Sequence, residues 1–149
     1  MKVTNTDSGI IIEGDDYKLK YDVKKNMYID LTYNNSIGAE LFIASGCDRD
    51  EMIDELVYIQ NPIIKESNNC VNLIFEGKTT LWRKANYTFK CLPDKVLYSY
   101  KVYGTGRLDN ARFFEGFLED NPNLKDKGYP FFCGSGRPNS YHRPVKFFM

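Results

Sequence analysis

With 149 residues, 20 basic and 20 acidic side chains and a single histidine, the chain has the size and charge of one ordinary domain, and a second would not fit comfortably. A formal net charge of zero and the lack of any Lys/Arg cluster remove the electrostatic draw towards nucleic acid or anionic membranes, so neither is expected as a partner. The longest apolar runs are three or four residues, against the roughly 20 a membrane helix needs, and Met1-Lys2-Val3-Thr4 opens no signal peptide; a cytoplasmic protein is expected.

Only four alanines stand against an aromatic content of 15%, a balance that favours pleated, half-buried surfaces over helices. In chain order, Gly9 to Glu13 reads as a short strand turned by Gly14-Asp15-Asp16. Tyr17, Leu19 and Tyr21 then alternate with Lys18, Lys20 and Asp22, and Met27, Ile29, Leu31 and Tyr33 alternate with Tyr28, Asp30 and Thr32. With a turn at Lys24-Lys25-Asn26, this is a hairpin. Asn34-Asn35-Ser36 and Gly38 release the chain into Ala39 to Ala44, which gives four strands before residue 46.

From Asp48 to Gln60 two readings stay open. Met52, Ile53, Leu56 and Val57 recur at helical spacing behind an Asp48 cap, with Glu51 at the third position of a capping box. Val57 and Ile59 also alternate with Tyr58, so Glu55 to Gln60 reads equally as an edge strand that Pro62 stops.

Val71 to Glu76, Leu81 to Cys91 and Lys95 to Tyr103 form a meander turned at Gly77-Lys78 and Pro93-Asp94. Ala85, Tyr87, Phe89 and Cys91 share one face of the middle strand; Val96, Tyr98, Tyr100 and Val102 point inward from the next. After Gly104 and Gly106, Ala111 to Phe117 supplies one more strand. From Asp120 to Gly128 the chain is a loop, and Gly134, Gly136, Pro138 and Pro144 keep the tail irregular. The apolar ending Val145-Lys146-Phe147-Phe148-Met149 suggests the first domain of a longer protein. The expected fold is all-β: an antiparallel sandwich of about ten strands with at most one short helix, spanning 1–149 as a single domain. A calycin-like closed barrel is the runner-up.

Chemistry-bearing constellations are scarce. Cys47, Cys70, Cys91 and Cys133 lack zinc-finger spacing, so free thiols are expected, with no metal and no cofactor. His142, the sole histidine, lies in the tail beside Arg143 with no partner set for nucleophilic catalysis. Gly104-Thr105-Gly106 lacks the context of a dinucleotide fingerprint and reads as a turn. Glu115 and Glu119 are the minimum for glycoside hydrolysis but bring no visible pocket, so no catalytic residue is assigned. Trp82 falls by alternation on the wet face with Lys84, Asn86 and Thr88, where a ring can stack on a sugar or on another domain, unless a bulge after Thr79-Thr80 turns it into the core. With Tyr129, Arg137, Tyr141 and His142 of the tail, it forms the candidate ligand-binding set.

Thr80-Leu81-Trp82-Arg83-Lys84 with Tyr87 and Phe89, Tyr100 to Gly106, Phe113-Phe114-Glu115-Gly116, Pro130-Phe131-Phe132 and Arg137-Pro138-Asn139 together resemble the N-terminal β-sandwich domain of bacterial glycoside hydrolases, a large sandwich like that of galactose mutarotases. The resemblance covers roughly the second half of the chain. It implies a non-catalytic domain that supports a following catalytic domain and lends a loop to the sugar. Mutarotase activity itself is disfavoured, since no strand carries the histidine acid that chemistry needs. The alternative is a free-standing carbohydrate- or ligand-binding β module.

Overall fold

The computed structural model describes residues 1–25, 27–34, 37–44, 46–113, 116–118 and 134–136. These form strands β1 (Lys2–Thr6), β2 (Gly9–Glu13), β3 (Tyr17–Asp22), β4 (Tyr28–Tyr33), β5 (Ile37–Phe42), β6 (Cys47–Arg49) and β7 (Leu56–Ile59) in the first part of the chain. β8 (Ile63–Ser67), β9 (Cys70–Thr79), β10 (Lys84–Leu92), β11 (Lys95–Tyr103), β12 (Leu108–Phe113), β13 (Gly116–Leu118) and β14 (Gly134–Gly136) follow. Among the described residues the one helical turn is a 3₁₀ segment, Val23–Lys25.

Every strand pairing among the described residues is antiparallel. One sheet runs β1-β2-β3-β4-β5-β13, the second runs β11-β10-β9 with β7 and β8 sharing the far edge of β9, and β14-β12-β6 make a small third sheet. The two large sheets stack as a β-sandwich. Alternation decides which side chains meet: Ile10, Ile12, Tyr17, Leu19, Tyr21, Ile29 and Leu41 from the first sheet face Val71, Leu73, Phe75, Tyr87, Phe89 and Cys91 from the second. Tyr21 meets Phe75 edge-on with ring centroids 5.1 Å apart, the offset geometry that ring quadrupoles favour. Two tyrosine hydroxyls at this core reach across to backbone carbonyls. Tyr17 Oη donates to Leu92 O at 2.7 Å and Tyr98 Oη to Ile43 O at 3.1 Å, so burying the rings leaves these hydroxyls satisfied.

The β3–β4 hairpin, the Pro93-Asp94 turn and the inward faces of β10 and β11 agree with the sequence reading. Other elements differ. β1 is a fifth strand before residue 46, missed because Lys2-Val3-Thr4-Asn5-Thr6 is a polar edge on which only Val3 is half-buried. β9 runs through Gly77-Lys78 to Thr79, and the hairpin turns over residues 80–83 instead. Pro62 interrupts the edge strand but does not end it, because β8 resumes the pairing with β9 at Ile63↔Ile74; an edge tolerates a missing N–H. The Ala111 to Phe117 strand is two strands that part company, β12 pairing β6 and β13 pairing β5. Gly134–Gly136, expected to be irregular, pairs with β12.

No helix forms over 48–60. Arg49 and Met52 exchange two backbone hydrogen bonds, of 3.1 and 2.9 Å, around Asp50 and Glu51, whose φ values of +49° and +66° make a tight hairpin turn. Asp48 does cap a backbone N–H, but that of Asp54 at 3.0 Å. The residues that mimic a capping box thus close a two-residue turn.

Candidate functional site

Trp82 does not lie on a wet strand face. It sits in the β9–β10 loop, 5% exposed, and its Nε1 donates to Cys47 O at 2.5 Å. Alternation carried back from Tyr87 and Ala85 fails there because β10 begins only at Lys84. Its backbone N–H is taken by Thr79 Oγ1 at 3.1 Å. The loop is fixed from below by Asp54, 5% exposed, whose Oδ1 accepts from Leu81 N at 3.1 Å and Thr80 Oγ1 at 3.4 Å. Asp48 supports Asp54 in turn and accepts from Arg112 Nη2 at 3.3 Å and Asn110 Nδ2 at 3.2 Å.

Arg49, at the end of β6, ties this loop to the β11–β12 loop. Its Nη1 donates to Leu81 O at 3.0 Å and to Thr105 O at 2.8 Å, and its guanidinium carbon lies 5.8 Å from the centre of the Trp82 ring. Such a cation over an indole face is favourable electrostatically. Two glycines permit the approach. A Cβ on Gly104 would stand 3.0 Å from the Trp82 ring, and one on Gly106, whose φ is +123°, would stand 2.2 Å from Arg49 Cδ. Trp82 is therefore the floor under the two loops, its ring covered by Arg49 and Gly104.

Above that floor a solvent-open groove of about 360 Å³ is lined by Arg49, Leu81, Arg83, Gly104 and Thr105. Its size is at the lower end of small-molecule sites. Among the described residues the lining presents two guanidinium groups and no carboxylate. Arg83 is anchored through its backbone, N to Tyr103 O at 3.0 Å, and its side chain is free of partners among the described residues. Beneath the floor, burial pushes the Cys47 thiol up to about 11 and raises the neighbouring Tyr100 hydroxyl further, so both stay protonated. This arrangement offers hydrogen-bond donors and positive charge to a ligand.

Of the sequence-derived candidates, Trp82 is at the groove but under it. Tyr129, Arg137, Tyr141 and His142 lie outside the described residues, as do Glu115, Glu119 and Cys133. Sequence reasoning missed Arg49, hidden in a segment read as helix or loop, and gave Gly104-Thr105-Gly106 no role beyond a turn. Arg83 and that turn did stand among the residues that carry the family resemblance. Among the described residues no three His, Cys, Asp or Glu side chains are grouped to hold a metal ion, and no helix is long and apolar enough to cross a membrane.

No family model matches the chain, and neither curated proteins nor solved structures give a match.

Proposed function

We propose that the chain is a non-catalytic β-sandwich module of a carbohydrate-active enzyme, a glycoside hydrolase, and that it holds sugar in the groove between the β9–β10 and β11–β12 loops. The observation that carries this reading is the groove itself: two guanidinium groups and a Leu81 flank, set on short loops that Arg49, Asp54 and Trp82 hold rigidly at one end of a sandwich. Sites of this kind are grafted onto scaffolds, and the scaffold alone names no ligand. Sugar hydroxyls suit the open Nη2 of Arg49 and the guanidinium of Arg83, while Leu81 offers an apolar flank to the ring carbons. The two loops also contain segments that resemble the N-terminal domains of glycoside hydrolases, Thr80 to Lys84 and Tyr100 to Gly106. Among the described residues the groove lining holds no carboxylate that could act as general acid or nucleophile, which suits binding without turnover.

Calorimetry with a panel of neutral and acidic oligosaccharides tests the proposal. At least one class binds in the micromolar to millimolar range, and the purified chain turns over no aryl glycoside. A panel that gives no heat with any sugar, or a chain that hydrolyses aryl glycosides by itself, overturns it.

A further inference from the structure

Of the two cationic groups lining the groove, Arg83 has no acidic counterpart among the described residues and Arg49 has only Asp50 beside its Nε, and this bears on which sugar the groove takes. Four arginines are described: Arg49, Arg83, Arg107 and Arg112. Arg107 pairs with Asp109 at 2.7 Å, Arg112 with Asp48 at 3.3 Å, and Arg49 stands 3.7 Å from Asp50 through Nε alone. Arg83 has no carboxylate partner among the described residues, and it opens onto the same groove as Arg49. Some lysines elsewhere are held by acids, as Lys25 is by Asp30 and Glu40 at 2.7 and 2.8 Å, whereas Arg83 is open to a ligand.

Arg49 is also pre-set. Nη1 is spent on the Leu81 and Thr105 carbonyls, which fixes the plane of the guanidinium, and Nη2 is left without a partner among the described residues. A guanidinium held in one plane loses little further freedom when an oxyanion docks against it, and a charge-assisted hydrogen bond from Nη2, the nitrogen neither spent on a carbonyl nor buried beside Asp50 as Nε is, is stronger than a bond to a neutral hydroxyl. Arg83 supplies a second positive charge whose own partner is still to come.

Resting on the carbohydrate reading, we infer that the groove selects an acidic oligosaccharide, one whose sugar carries a carboxylate, with Arg49 as the fixed anchor and Arg83 as the mobile clamp. The test is calorimetric titration of the full chain with glucuronate-, galacturonate- and mannuronate-containing oligosaccharides, with their methyl esters, which cancel the charge at the cost of one added methyl group, and with neutral oligosaccharides. At least one acid binds at least about tenfold tighter than its ester. Arg83→Gln, at an exposed and unpaired position, removes most of that margin while leaving the melting temperature of the chain unchanged. Raising salt narrows the margin in the wild type. Equal affinity for acid and ester, or binding of neutral sugars alone, overturns this inference and leaves the carbohydrate reading standing. A failure of every sugar to bind overturns both.

Discussion

Trp82 is fixed by three neighbours of different kinds: a carbonyl on its Nε1, a guanidinium over its face and a glycine against its edge. Replacing it with Ala removes a large buried ring and the support of two loops, so Trp82→Ala lowers stability by about 3 to 5 kcal/mol in a denaturant titration. A loss below about 1 kcal/mol would place the ring at the surface after all. Two positions nearby carry unusual backbone. Gly106 at φ +123° cannot be matched by a side-chain-bearing residue without strain, and Gly106→Ala lowers the melting temperature through an expected cost of about 1 to 3 kcal/mol. Glu51 at φ +66° presents the reverse case. Glu51→Gly relieves that conformation, and although Gly adds chain entropy to the unfolded state, a small net gain of up to about 1 kcal/mol is expected. None of these three local conformations is written in the alternation of polar and apolar residues. Alternation reports which side of a strand a residue is on, and all three lie where strands stop.

At the level of elements, the longer strands with one face on the core were legible and several short ones were not. β3, β4, β10 and β11 each bury one face fully enough to imprint a period of two on the sequence. β1 and β8 bury little, although each pairs with the next strand through a tight hairpin, and β14 is only three residues long and pairs with β12, well before it in the chain. The β7–β8 edge illustrates the point: Val57, Tyr58, Ile63 and Ile64 are exposed apolar residues on a strand that no other described strand covers. Such an edge favours self-association, and Ile63→Lys, at a position already 56% exposed, leaves the melting temperature nearly unchanged while lowering light scattering on heating. The β9–β10 loop depends instead on one buried carboxylate. Asp54→Ala strips the acceptor from Leu81 N and Thr80 Oγ1, with an expected loss of about 1 to 3 kcal/mol and a looser groove.

Across the whole molecule, two stacked antiparallel sheets with an aromatic core account for the order of the chain, and the groove sits at one end where the loops of the second sheet meet β6. The fold class followed from composition and period; the groove did not, because Arg49 and Arg83 are 34 residues apart in sequence and converge only through the pairing of β6 with β12 and the crossing of two loops. The packed interior has a consequence for pH. Burial pushes the Cys47 and Cys91 thiols up to about 11 and about 12 from an ordinary value of 9.0. Below about pH 9 the thiols are protonated in both folded and unfolded chains and exert no pull. Above it the unfolded chain ionises first, so stability falls as the pH rises from 9 towards 12, and neither thiol reacts with alkylating reagents at pH 8 until the chain is unfolded, as peptide mapping of the label can show. The central claim, that the loops around Arg49 form a ligand site, is tested most directly by following backbone amide shifts while an acidic oligosaccharide is added. Leu81, Arg83, Gly104 and Thr105 are expected to move with the β1–β5 sheet unperturbed; shifts confined to that sheet, or none at saturating sugar, would rule the site out.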